Sequence, residues 1–250
     1  METHHAHHHD HPRHKEKLWA HYALEFFMLF LAVYCGFLAE NFREHQLDKS
    51  REVAYMQNMY EDLKNDTAIY SAYVANVNQF MDKLDTLETF MKSPDRDSHL
   101  NEIYFSARTA TLMTQTLFPN QRTFEQMKDA GSLRLISNRQ VADAVSSYYN
   151  SLKVIASQNQ LIQEDRSTSY MDAMSKVFNS QILFWILKNN RIPPLDSCKL
   201  VTSDPVVINE LLVKAQYYYG ARRLQMFYGE ARTKSARDLI ALIKKEYHFE

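Results

Sequence analysis

Glycine and proline are scarce: 4 Gly and 6 Pro occur in 250 residues. Hairpins, tight turns and phosphate-cradling loops all lean on these residues, so the scarcity speaks against a strand-rich fold and removes most nucleotide-binding loops. Cysteine is scarcer still. Cys35 and Cys198 cannot build a disulfide framework, and Cys35 sits in an apolar run, so the compartment stays undecided. The formal net charge of −1 offers no global pull toward nucleic acid or anionic membranes. Beyond the first fourteen residues, histidine is sparse and no Glu-x-x-His pair occurs, which leaves a di-metal bundle site without its ligand pattern. The chain also lacks a Gly-x-Ser-x-Gly elbow and a Cys-x-x-Cys pair.

What is present is one long hydrophobic run, LWAHYALEFFMLFLAVYCGFLA from Leu18 to Ala39, whose strongly polar members are His21 and Glu25. A bilayer core takes roughly 20 apolar residues as a helix, so the run reads as a transmembrane segment with Trp19 and Tyr22 at one interface. The rivals are a buried core helix and a cleaved signal. Cleavage before Glu40 would put bulky Phe37 at the −3 position, and a lipoprotein site at Cys35 would follow Tyr34, so an uncleaved anchor is expected. The implied organisation is a polar leader over 1–17, a span over 18–41 and a helical domain over 42–250. Flanking cations tie, with Arg13, Lys15 and Lys17 before the span and Arg43, Lys49 and Arg51 after it. Lys15 and Lys17 abut the span with only Glu16 against them, while Glu40, Glu44, Asp48 and Glu52 crowd the far side, which favours a cytoplasmic N-terminus in a bacterial inner membrane and a periplasmic body.

Inside the span, His21 and Glu25 stand one turn apart and can form an intramembrane polar pair. Glu25, Met28, Ala32, Cys35 and Ala39 share one face, and such a small-residue face with one polar group suits helix–helix association. The leader METHHAHHHDHPRH raises a different possibility. His4, His5, His7, His8, His9 and His11 are competent Zn, Ni or Cu ligands, but a specific site needs fixed geometry and supporting partners. A purification tag would not be interrupted by Ala6, Asp10 and Pro12. A soluble leader is the preferred reading, its imidazoles adding fractional positive charge beside Lys15 and Lys17.

The body reads as all-α. Met56, Tyr60, Leu63, Thr67, Tyr70, Val74, Val77, Met81, Leu84, Glu88 and Met91 follow a 4,3 spacing that predicts a long helix with a coiled-coil-like seam. Whether 20–92 is one helix or bends near 42–52 is left open. Ser98 is expected to cap a helix over 99–117, a short helix over 121–130 should stop at Gly131, and Asn138 should cap another long one. ILFWILK (182–188) is too short to span. Asp204-Pro205 opens the last helix, with a seam through Ile208, Leu212, Ala215, Tyr219, Arg222, Met226, Gly229, Thr233, Ala236, Ile240, Ile243 and Tyr247. Together these predict an antiparallel long-helix bundle.

Candidates for chemistry in the body are few. Glu61-Asp62 and Glu164-Asp165 fall away from the seams and read as solvated charge, and His99 with Glu102 reads as a surface pair. YYGARRLQMFYGEAR carries aromatic-Tyr-Gly-x-x-Arg twice, nine residues apart. Nine residues at 100° each is half a turn out of phase, so the copies face opposite sides and cannot share a pocket. Gly220 and Gly229 would let neighbouring helices approach closely. Tyr218, Tyr219, Arg222 and Arg223 are the residues with which an anionic ligand or partner could be met.

HYALEFFMLFLAVYCGFLAENFREHQ with YMQNMYEDLKND, and TFEQMKDAGSLRLISNRQVADAVSSYYN (123–150), resemble a family of uncharacterised single-pass membrane proteins from Bacteroidetes-type bacteria. The resemblance covers about a third of the chain, and it implies an N-terminal anchor and a helical body without catalytic residues or cofactor. The expectation is a membrane-anchored interaction or scaffold module of the bacterial envelope. Its partners would be the bilayer, a second copy or another envelope protein, and not nucleic acid. Self-association would run through the span and the 56–91 seam. The alternative is a ligand-sensing bundle that binds a small anionic molecule and signals through a partner.

Overall fold

A computed structural model of the chain describes residues 13–112 and 119–249; the side chains of 13–18 and 153–166 lie outside that description. It is all-α, with no strand among the described residues. Helix α1 runs from Arg13 to Met91 without interruption. It is followed by α2 (Leu100–Leu112), α3 (Arg122–Asp129), α4 (Arg139–Val177), α5 (Ser180–Asn189) and α6 (Pro205–Tyr247). By contact density the chain divides into Met1–Val53 and Ala54–Glu250, and the second unit holds the bundle.

The expected boundaries have visible physical causes. Asn138 accepts from the backbone N–H groups of Gln140 and Val141, and Asp204 accepts from that of Val206 with Pro205 as the first helical residue. Both satisfy donors that a helix start leaves without intrahelical acceptors. Gly131 takes φ +65°, the left-handed turn that ends α3. The segment before α2 is a 3₁₀ turn, Arg96–His99, so the α-helix begins at Leu100. Ser98 donates its backbone N–H to the Asp95 carbonyl there.

Side-chain pairs define the packing of the second unit. Tyr148 lies beside Arg232 and Tyr170 beside Tyr218, so α4 and α6 run antiparallel. Phe80 meets Tyr218 and Glu88 meets Gln216, so α1 and α6 do as well. Then α2 and α3 return along α1, with His99 stacked on Phe90 and Asn120 bonded to Asp62 and Asp66. The result is an up-down-up-down arrangement in which α2 and α3 together fill one position.

Burial corrects the expected register on two helices. On α1 the fully buried row is Met56, Met59, Leu63, Asp66, Tyr70, Tyr73, Val77, Phe80, Leu84, Leu87 and Met91. Among the alternate members of the expected seam, Tyr60 and Met81 are buried but less deeply than Met59 and Phe80, and the other three sit one residue too far along. Thr67, Val74 and Glu88 are only half-buried. The same displacement recurs on α6, where Leu211, Tyr218, Gln225, Arg232 and Leu239 lie deeper than Leu212, Tyr219, Met226, Thr233 and Ile240. A helix inside a bundle buries a face wider than a two-residue seam, so two adjacent 3,4 rows pass the same periodicity test.

Two apolar clusters fill the unit. One gathers Met56, Met59, Leu63, Phe124, Met127, Val141, Val145, Leu152, Leu239 and Ile243. The other gathers Phe80, Leu84, Leu87, Ile103, Tyr104, Val177, Phe178, Ile186, Leu211 and Tyr218. Between them α1 and α6 contribute a buried polar layer.

Candidate functional site

The polar layer begins with the break between α2 and α3. The start of α3 has no side-chain cap of its own, because Gln121 makes no capping bond. Asp62 on α1 supplies it from across the bundle. Its Oδ2 accepts from the backbone N–H of Thr123 at 3.2 Å and from Thr123 Oγ1 at 2.5 Å. Its Oδ1 accepts from Asn120 Nδ2 at 2.6 Å and from the largely exposed Arg122 at 3.3 Å. A carboxylate at a helix N-terminus is favoured by both the free N–H groups and the helix dipole. One turn later Asp66 accepts from the Asn120 backbone N–H at 2.7 Å and from the Tyr148 hydroxyl at 3.0 Å.

That hydroxyl lies 3.5 Å from the Tyr70 hydroxyl, and with one proton on each the order of donation is Tyr70 to Tyr148 to Asp66. Burial raises the Asp66 carboxyl above its ordinary value, against its hydrogen bonds from Asn120 and Tyr148, which lower it. Burial also pushes Tyr70 up to about 12 and Tyr148 well above the usual phenol range. Arg232, 4% exposed, donates through Nη1 to the Tyr148 carbonyl at 3.2 Å and to Ser151 Oγ at 2.8 Å. Its guanidinium is held below its usual range by burial.

Further along α6, Arg222 is 2% exposed and donates to Gln225 Oε1 and to the Tyr218 hydroxyl, both at 2.9 Å. Its guanidinium lies 4.6 Å from the centre of the Phe80 ring and 5.1 Å from that of Tyr218. Rings on a buried cation supply attraction that water no longer gives. At Gly229 α1 comes close: a Cβ there would lie 2.9 Å from Val74 Cγ2 and 3.3 Å from Tyr73 Cδ1. Gly220 has nothing within 4 Å, so close approach holds at one of the two glycines and not at the other.

Beside this layer an open groove of about 570 Å³ runs between α4 and α6. Gln140, Ser147, Ser151, Ser235, Asp238 and Lys245 supply its polar lining, and Ala144, Leu239 and Leu242 its apolar floor.

The residues singled out from sequence end in different places. Tyr218 and Arg222 are buried against each other, Tyr219 is hydrogen-bonded to Asp85, and Arg223 is exposed, so the four form no single pocket. The two Gly-x-x-Arg copies do point apart, with Arg223 outside and Arg232 inside. Glu61 is solvated as expected, but Asp62 is 1% exposed and structural, because the α2–α3 break brings backbone donors to it. Glu164 and Asp165 fall outside the described side chains. His99 pairs with Asp95, at 3.2 Å, and stacks on Phe90; it does not pair with Glu102. His4, His5, His7, His8, His9 and His11 lie outside the described residues. Among the described residues no cluster of three or more His, Cys, Asp or Glu side chains could hold a metal ion. His21 and Glu25 stand exposed on α1, as do Trp19, Phe26, Phe30 and Phe37.

What fold and site define is an all-α protein in which one helix, near the N-terminus, is long and apolar enough to cross a membrane, and the apolar window itself is wholly unburied. Comparison with protein-family models, with curated proteins and with solved structures gives no match to this chain.

Proposed function

We propose that this chain is a membrane-anchored helical interaction module of the bacterial envelope, related to the single-pass family its anchor and its 123–150 segment resemble. The observation that carries the reading is the contrast along α1. Residues from Met56 onward bury a continuous row that is apolar except at Asp66, whereas Trp19, Phe26, Phe27, Leu29, Val33 and Phe37 are all more than half exposed. A helix apolar on every side needs an apolar medium, and lipid supplies it. The acidic flank over 40–52 and Lys15 and Lys17 before the span support an N-terminus in the cytoplasm and a bundle in the periplasm. This reading gives the chain no catalytic role.

Self-association now has one surface, not two. The 56–91 row is consumed inside the chain's own bundle, so pairing falls to the face of Glu25, Met28, Ala32, Cys35 and Ala39. Cys35 is exposed on that face, while Cys198 is buried and donates to the Pro194 carbonyl. Mild oxidation in native membranes should therefore trap a dimer through Cys35 that a Cys35→Ala variant cannot form. Monomer alone under these conditions contradicts self-association.

A second reading has the groove of Gln140, Ser151 and Lys245 as its support: a small anionic molecule held by Lys245 and the serine hydroxyls. Thermal-shift screening of the detergent-solubilised chain tests it, and stabilisation that survives Lys245→Ala rules this site out.

A further inference from the structure

At the Met91 end of the bundle, α5 lies on the core by one edge. Ile186 is fully buried and Ile182 and Leu183 are half-buried, packed on the cluster that holds Leu100 and Ile103. The other edge is uncovered. Phe184 is 55% exposed, Leu187 43% and Trp185 39%, and Ile192 in the following turn is 49% exposed. Phe184, Leu187, Lys188 and Arg191 follow the i, i+3, i+4, i+7 spacing of one face, continued into the turn. The Lys188 ammonium lies 4.5 Å from the centre of the Phe184 ring. From Ser180 to Leu195 the chain has two basic residues and no carboxylate.

We propose that α5 and its following turn are a docking surface for a lipid bilayer with anionic headgroups. Contiguous exposed apolar surface marks an interaction site, and the chemistry here selects the partner. Aromatic and aliphatic side chains interleaved with Lys and Arg, with one carboxylate, Asp196, at the far end of the turn, match the apolar–anionic boundary of a membrane: rings enter the acyl margin and cations stay with the phosphates. Lys188 is placed to move from the Phe184 ring to a phosphate as the ring enters. This inference rests on the reading of α1 as a membrane anchor.

The chain has two tryptophans, Trp19 and Trp185, so a Trp19→Phe variant leaves Trp185 as the sole indole reporter. The full chain is reconstituted in phosphatidylcholine nanodiscs, and vesicles carrying brominated phosphatidylglycerol are added. Trp185 emission should be quenched by these vesicles and far less by brominated phosphatidylcholine alone. Lys188→Ser with Arg191→Ser should weaken vesicle binding roughly 30-fold, at about 1 kcal/mol per cation near an anionic surface. Phe184→Ser should weaken it without moving the unfolding temperature, because that side chain is exposed. No quenching by anionic vesicles overturns the proposal. So does equal quenching by brominated phosphatidylcholine, which would make the surface indifferent to headgroup charge. A concentration-dependent emission shift without bromine quenching would mean a contact between copies, and also overturns it. Failure of the anchor shows separately, as a chain that does not co-purify with nanodiscs.

Discussion

Replacing Gly229 with alanine should destabilise the bundle, while the same change at Gly220, nine residues earlier on the same helix, should stabilise it. Both glycines lie inside α6, where alanine is favoured by about 1 kcal/mol. At Gly220 nothing opposes that gain, because a new Cβ meets no atom within 4 Å. At Gly229 the Cβ would lie 2.9 Å from Val74 Cγ2 and 3.3 Å from the Tyr73 ring. Val74 is β-branched and held to essentially one rotamer in a helix, so it cannot swing aside. Its backbone must shift instead, and overpacking of this kind costs about 1–3 kcal/mol. Subtracting the propensity gain leaves a net loss of about 1 kcal/mol, so the two variants should differ by about 2 kcal/mol. For a domain of roughly 200 residues that is a separation of about 4–8 °C in Tm. Thermal unfolding of the full chain in mild detergent, followed by far-UV circular dichroism, reads it directly. Adding Val74→Ala should recover most of the loss at Gly229 and none at Gly220. If both variants shift in the same direction, or Val74→Ala fails to rescue, the close approach of α1 and α6 at Gly229 is refuted.

Asp62→Ala should lower stability by about 3 kcal/mol in urea unfolding, because the buried Thr123 N–H and hydroxyl lose a charged acceptor; Glu61→Ala, on the exposed side of the same turn, should change it by less than about 0.5 kcal/mol. Asp66 has a folded-state pKa raised by burial, so the unfolded chain releases this proton first as pH rises. Its contribution is fully present below the unfolded value near 3.8 and is lost as pH climbs through the raised folded value. The stability of Asp66→Asn relative to the parent should therefore grow with pH across that interval and then level off; a difference independent of pH would contradict the assignment. Gly131→Ala should cost about 1–2 kcal/mol at its φ of +65°, and Gly131→Asn less, measured by the urea midpoint.

The parts of this fold that sequence made legible are those set by local chemistry. Asn138, Asp204-Pro205 and Gly131 each carry their own reason for starting or ending a helix, and no distant residue can change it. The apolar run from Leu18 is legible for the same reason. What stayed hidden depends on neighbours. The polar residues Thr67 and Glu88 in the expected α1 row were a visible sign that the true row lay one residue back, where Asp66 stands. The polar layer is hidden with it: Asp62, Asp66, Gln225 and Arg232 look like surface residues until α3 and α4 are brought against them. Asp62 needs the donors of Asn120 and Thr123, some sixty residues away, before its burial makes sense. The α5 surface is hidden because a seven-residue apolar run is equally compatible with a buried helix edge, and only the packed bundle shows which of its side chains stay uncovered.

Alkaline carbonate extraction of membranes carrying the full chain, followed by flotation, tests the central claim most directly. The account predicts that the chain floats with the bilayer and that two lysines placed in the exposed apolar stretch, at Phe30 and Val33, release it. Release of the unaltered chain into the soluble fraction would contradict a membrane anchor and, with it, the function proposed for the bundle.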